Sequence, residues 1–72
     1  MKPYYIIDGV NGVFSTLNEA KYHIWVAYTA KERVKFLGNT TILKIHNEEA
    51  ITYTSVKINE EGNVTYGKTK RY

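Results

Sequence analysis

The chain has no cysteine, one proline, one tryptophan and only two histidines, His23 and His46, in 72 residues. Without cysteine there is no disulfide framework and no thiolate metal site, although small domains commonly lean on one or the other. Stability has to come from packing. A chain this short buries only about 60% of the surface its unfolded form exposes, so a second copy is a natural way to complete the core. The missing cysteine also fits a reducing compartment. No long hydrophobic run occurs either: Tyr4–Ile7 is cut by Asp8, too short for a signal segment or a membrane span. The expectation is a cytoplasmic protein with no membrane partner, in which the N-x-Thr triplets at Asn39 and Asn63 are chance matches in turns.

What is present is a modest basic excess, ten Lys and Arg against seven Asp and Glu, and seven tyrosines. Tyrosine favours strands and interfaces, because its ring buries area while its hydroxyl tolerates water.

The firmest local signal is Thr16-Leu17-Asn18-Glu19, an S/T-x-x-E capping box that predicts a helix over about 17–30. Leu17, Ala20, Ile24, Ala27 and Tyr28 fall on one helical face, and Trp25 and Val26 broaden it. With no other helix for the strands to pack on, Trp25 and Tyr28 are expected inside. The competing reading is a partner surface centred on Tyr22, Trp25 and Thr29.

The rest of the chain reads as strands. Tyr4–Asp8, a Gly9/Gly12 turn and Val13-Phe14 suggest an opening hairpin. Residues 33–37 admit two readings: a strand, from the alternation of Val34 and Phe36 with Arg33 and Lys35, or a helix capped by Gly38. The strand is preferred. Thr40–His46 and Ala50–Ile58 follow, joined by the polar turn Asn47-Glu48-Glu49. The second has an alternation slip that a β-bulge near Thr54-Ser55 would reconcile. Asn59–Gly62 reads as a type I turn with a left-handed glycine, placing Val56 opposite Tyr66 and Ile58 opposite Val64, with the last strand running from Asn63 to about Thr69. The predicted fold is α+β, one amphipathic helix on an antiparallel sheet of four or five strands, ordered β-β-α-β-β-β(-β), in a single domain. Its far face is wet or paired with a partner.

Chemistry is sparse. Gly62–Thr69 spells G-x-x-x-x-G-K-T, but only Lys70, Arg71 and Tyr72 follow, too few for the helix whose amides hold a phosphate. His23 and His46 are isolated, so no metal is expected. No nucleophile has a base beside it, and the pairs Glu48-Glu49 and Glu60-Glu61 sit at turns, as solubilising charge. The expectation is no enzyme and no cofactor. Lys31, Arg33 and Lys35 form one basic cluster. Lys68, Lys70 and Arg71, interleaved with Tyr66 and Tyr72, form another that suits phosphate contact and base stacking. A nucleic-acid surface built on both requires them to share a face.

Tyr5-Ile6-Ile7, the glycine turn, Gly12-Val13-Phe14, Ser15-Thr16 and Glu19-Ala20 resemble the opening of the hybrid-binding domain at the N-terminus of many ribonucleases H. That resemblance implies binding to double-stranded RNA or RNA–DNA hybrids. It covers about twenty residues, with a shorter turn and Leu17 where that family usually has tryptophan, and no site residue carries over. The leading expectation is a small non-catalytic interaction module, self-associating or an accessory subunit, with Tyr22, Trp25 and Tyr53 as candidate interface residues. Nucleic-acid binding through the two basic clusters is the alternative.

Overall fold

The computed structural model describes residues 2–72. Strand β1 (Tyr4–Ile7) leads through the Gly9/Gly12 turn to α1 (Leu17–Val26). A second helical segment follows, α2 (Ala30–Glu32), widening into a π-helical turn over Arg33–Leu37. Then come β2 (Thr40–His46), β3 (Glu49–Ile58), β4 (Val64–Tyr66) and β5 (Lys70–Arg71). All strand pairings are antiparallel, in the order β1-β2-β3-β4, with β5 also on β3. The class is the α+β expected of the sequence.

Thr16 caps the helix as read, Glu19 N–H donating to Thr16 Oγ1 at 3.1 Å, but the reciprocal half of the box is displaced by one residue: Glu19 Oε2 accepts from Ser15 N–H at 3.0 Å, not from Thr16. The helix nevertheless stops at Val26, because the chain starts a second helix with a second box. Thr29 Oγ1 accepts from Glu32 N–H at 3.2 Å, while Glu32 Oε1 accepts from Thr29 N–H at 2.9 Å. Thr29-Ala30-Lys31-Glu32 is the same T-x-x-E signature as Thr16–Glu19. Residues 33–37 therefore continue a helix, and the preferred strand reading is overturned. Gly38 closes the wide turn at φ +51°, donating its N–H to the Arg33 carbonyl five residues back at 3.0 Å.

Three other details differ. The return of the opening hairpin shrinks to a single bridge, Tyr5 to Phe14. The last strand breaks into β4 and β5 at Gly67–Thr69, where Thr69 Oγ1 lies 2.7 Å from Thr54 Oγ1 and the chain then re-pairs through Arg71. The bulge is at Ile51, not at Thr54-Ser55: Lys44 pairs with Thr52 and Ile45 with Ala50, leaving Ile51 unmatched. Tyr53 and Val56 differ in phase because they face opposite sides of the sheet. The β3–β4 register is the predicted one, Val56 with Tyr66 and Ile58 with Val64.

The helices cover one face only. There Ile7, Ile42 and Val56 are buried against Ala20 and Ile24 of α1, with Leu17, Phe14, Leu37, Ile58, Val64 and Tyr66 packed around them. Burying each of these aliphatic side chains is worth about 1.5–3 kcal/mol, so this one layer carries most of the stability.

Candidate interaction surfaces

The expected inside position of Trp25 is the clearest correction. Trp25 is 54% exposed, Tyr22 67% and Val26 55%. With Ala20 and Ile24 facing the sheet, the positions next to Ile24 turn outward, at about 100° per residue. Tyr22, Trp25 and Val26 thus form an i, i+3, i+4 apolar patch on the outer side of α1, as the competing partner-surface reading has it. Tyr28 is half-buried, edge-on against His23 at 5.8 Å between ring centres, and the Phe14 ring lies 5.0 Å from the same imidazole. His23 is thus a packing residue of the helix layer and not a surface one.

Arg33 does not belong with the basic surface residues. It is only 6% exposed. Its Nη1 donates to the carbonyls of Trp25 at 2.9 Å and Tyr28 at 2.6 Å, and its Nε to the carbonyl of Gly62 at 2.7 Å. The guanidinium lies 4.2 Å from the Trp25 ring. A buried cation is tolerable where its donors find partners, and here Nη1 meets two carbonyls at and just beyond the C-terminal end of α1, where the helix dipole is negative, while Nε meets one in the β3–β4 turn. The arginine caps one helix and ties it to the β3–β4 turn.

Lys31 and Lys35 are exposed. They line a groove of about 220 Å³ with Ala30 and Val34, facing Glu60 and Glu61 of the β3–β4 turn. Val34 and Phe36 beside it are exposed apolar residues.

The second basic cluster lies elsewhere. Lys70 pairs with Tyr53 and Arg71 with Thr52, some 16 Å along β3 from the Ile58 end where the groove opens. Lys70 and Tyr53 point away from the helices, whereas Arg71, paired with Thr52, is on the helix side, so the second cluster is itself divided between the two faces. Tyr66 is also separate: it faces the helices, half-buried, with Lys21 Nζ 4.6 Å from its ring centre. Burial pushes the Tyr66 hydroxyl above its ordinary pKa, against the opposing charge of Arg33.

The face opposite the helices carries Tyr4, Ile6, Leu43, Ile45, Ala50 and Tyr53, since paired residues share a face and Ile6, Leu43 and Tyr53 stand directly across from one another. The Tyr72 ring lies 4.9 Å from that of Tyr53. Sequence reasoning named Tyr53 but missed Ile6, Leu43 and Ile45. Their signal was the adjacent apolar pairs Ile6-Ile7 and Ile42-Leu43, which mark strands apolar on both sides.

Among the described residues no group of three or more histidine, acidic or cysteine side chains is placed to hold a metal, and no helix is long and apolar enough to cross a membrane. Comparison with protein-family models, with curated proteins and with solved structures finds no match to this chain.

Proposed function

We propose that this chain is a non-catalytic protein-interaction module that docks a partner protein on its helix layer. The observation that supports it is the outward patch of Tyr22, Trp25 and Val26, each more than half exposed on a ten-residue helix. Exposed tryptophan and tyrosine at helical spacing are the residues that anchor protein interfaces, because they bury large area at low entropic cost. The Trp25 ring is also held from behind by the buried Arg33, so the anchor is oriented before a partner arrives.

A photo-cross-linking amino acid at position 22, in the full chain expressed in its native cells, tests this. The expected result is a discrete protein adduct that disappears when Trp25→Ala is added. Absence of an adduct, or one indifferent to Trp25, ends the reading.

Nucleic-acid binding remains a second reading, supported by the exposed Lys68, Lys70 and Arg71 beside Tyr53 and Tyr72. Its footprint is then the C-terminal cluster alone, without Arg33. An electrophoretic shift at low salt that substitution of Lys68, Lys70 and Arg71 abolishes supports it; no shift at low salt rejects it.

A further inference from the structure

We infer that the free edge of β4 pairs with itself: two copies of this chain join β4 to β4, antiparallel about a two-fold axis at Thr65, into one continuous sheet. The edge is a different surface from the helix patch, so the inference stands or falls apart from the proposed function.

The other edge of the sheet is closed. Tyr5 N–H donates to the Phe14 carbonyl at 2.7 Å, the Tyr5 carbonyl accepts from Phe14 N–H at 2.8 Å, and the Ile7 carbonyl accepts from Val10 N–H at 2.9 Å. The β4 edge is open. Asn59 N–H donates to the Asn63 carbonyl at 3.0 Å, and Gly67 N–H to the Ser55 carbonyl at 2.9 Å. Bonded pairs alternate along an antiparallel ladder, so Thr65 is the residue bonded to Lys57 between them, and the backbone groups of Val64 and Tyr66 point away from β3. Among the described residues no other backbone group bonds to them there. Such a row of unpaired donors and acceptors is a template for another strand.

Register and charge select a second copy as the occupant. With the two-fold axis at Thr65, Val64 of each copy stands opposite Tyr66 of the other, and both residues present their donors and acceptors across the seam. One register thus satisfies both positions. On the helix side, where Val64 and Tyr66 are half-buried, each match is a β-branched residue against an aromatic one. The exposed charge is opposite at the two ends of the edge: Glu60 and Glu61 precede β4 in the turn, and Lys68 and Lys70 follow it. Lysines guard an edge when pairing sets them against one another. Antiparallel pairing instead carries Lys68 and Lys70 of one copy towards Glu60 and Glu61 of the other, and symmetry repeats the match at both ends.

Sedimentation equilibrium on the full chain, from micromolar to millimolar concentration, reads the mass. Because β4 is only three residues long, the mass is expected to approach twice 8.3 kDa at the upper end of that range. A monomer mass throughout overturns the inference and leaves the edge to a strand of another protein. Charge reversal tests the pairing itself. Lys68→Glu with Lys70→Glu makes both ends of the edge acidic, and Glu60→Lys with Glu61→Lys makes both basic; all four side chains are exposed, so the fold is left alone. Each double variant is expected to be monomeric, and an equimolar mixture of the two to regain the dimer mass. A dimer that survives in either variant alone, or a mixture that stays monomeric, refutes pairing along β4.

The absence of native cysteine allows a direct check of register. In this pairing Thr65 faces Thr65 of the second copy as a non-hydrogen-bonded pair, about 4.5 Å apart at Cα and within reach of a disulfide. Thr65→Cys is expected to give a covalent dimer on mild oxidation. Lys57→Cys, one strand further in on the same face, is the control and is expected to remain monomeric. Failure of Thr65→Cys to cross-link faster than Lys57→Cys overturns the inference.

Discussion

The carbonyl of Gly62 accepts a 2.7 Å hydrogen bond from Arg33 Nε, across 29 residues of chain. Through this one bond the end of α1, the π-helical turn and the β3–β4 hairpin meet, because the same guanidinium also holds the carbonyls of Trp25 and Tyr28. Helix ends leave carbonyls that need donors, and here one side chain supplies two at the end of α1 and a third in the hairpin turn. Arg33 therefore fixes how the helix layer sits on the sheet.

Arg33→Met keeps the length of the side chain and removes its donors. Leaving those carbonyls without their partner is expected to cost about 3 kcal/mol, or roughly 12–24 °C in Tm for a domain of this size. Arg33→Lys keeps the charge but loses the fork, and is expected to cost about 2 kcal/mol. Urea denaturation of both variants measures this; a Met variant as stable as the parent would show that the bonds contribute nothing.

Gly62 is required for two reasons that act together. Its φ is +84°, and a Cβ there would lie 2.6 Å from Ala30 Cβ and 2.7 Å from the Ala30 carbonyl oxygen. Gly62→Ala is expected to destabilise by about 3 kcal/mol, combining left-handed strain with overpacking against backbone that cannot retreat. Because the turn would then move off Arg33, Gly62→Ala with Arg33→Met should cost less than the two single changes added together. Full additivity in a double-mutant cycle would mean that turn and arginine are not coupled.

The parts of the fold legible in the sequence are those fixed by local signals: Thr16 and Glu19 start a helix, and Asn59–Gly62 sets the β3–β4 register. The parts that were not legible depend on competition. Val34 and Phe36 alternate as in a strand, but Thr29 and Glu32 had already begun a helix, and a nucleated helix continues more cheaply than it stops. Trp25 was assigned to the core for want of other cover, whereas Ala20 and Ile24 with the residues around them suffice. Arg33 looked like surface charge because sequence gives no sign of three carbonyls waiting for it. The interface candidates fared unevenly: Tyr22 and Trp25 share one face, while Tyr53 lies on the other layer.

The second capping box makes part of the stability depend on acid pH. Backbone hydrogen bonding to Thr29, followed by the Thr29 side chain, holds the Glu32 carboxyl below its ordinary pKa. A carboxylate with a depressed folded pKa stabilises above its unfolded value, and that contribution is lost as pH falls through the folded value. The stability difference between the parent and Glu32→Gln, followed by denaturation across the acid range, is expected to narrow as pH falls below the ordinary glutamate range. A difference constant with pH would place the effect of Glu32 outside its charge.

The β2–β3 hairpin offers a substitution in the stabilising direction. His46 pairs with Glu49, so the loop is the two residues Asn47 and Glu48, both at positive φ, 51° and 66°. That is the type I′ geometry whose twist matches the strands, and its preferred sequence is Asn-Gly. Asn47 fits; Glu48 carries a Cβ that clashes with its own backbone there, at a cost of about 1–2 kcal/mol. Replacing it with glycine removes that strain but adds flexibility to the unfolded chain, which offsets about 0.5–1 kcal/mol of the gain. Glu48→Gly is therefore expected to stabilise by about 0.5–1 kcal/mol, raising Tm by roughly 2–8 °C. Glu49→Gly makes the control, since Glu49 is already in the ladder and glycine weakens a strand. Thermal denaturation should move the two variants in opposite directions; a lower Tm for Glu48→Gly would mean that the Glu48 side chain makes a contact worth more than the strain it carries.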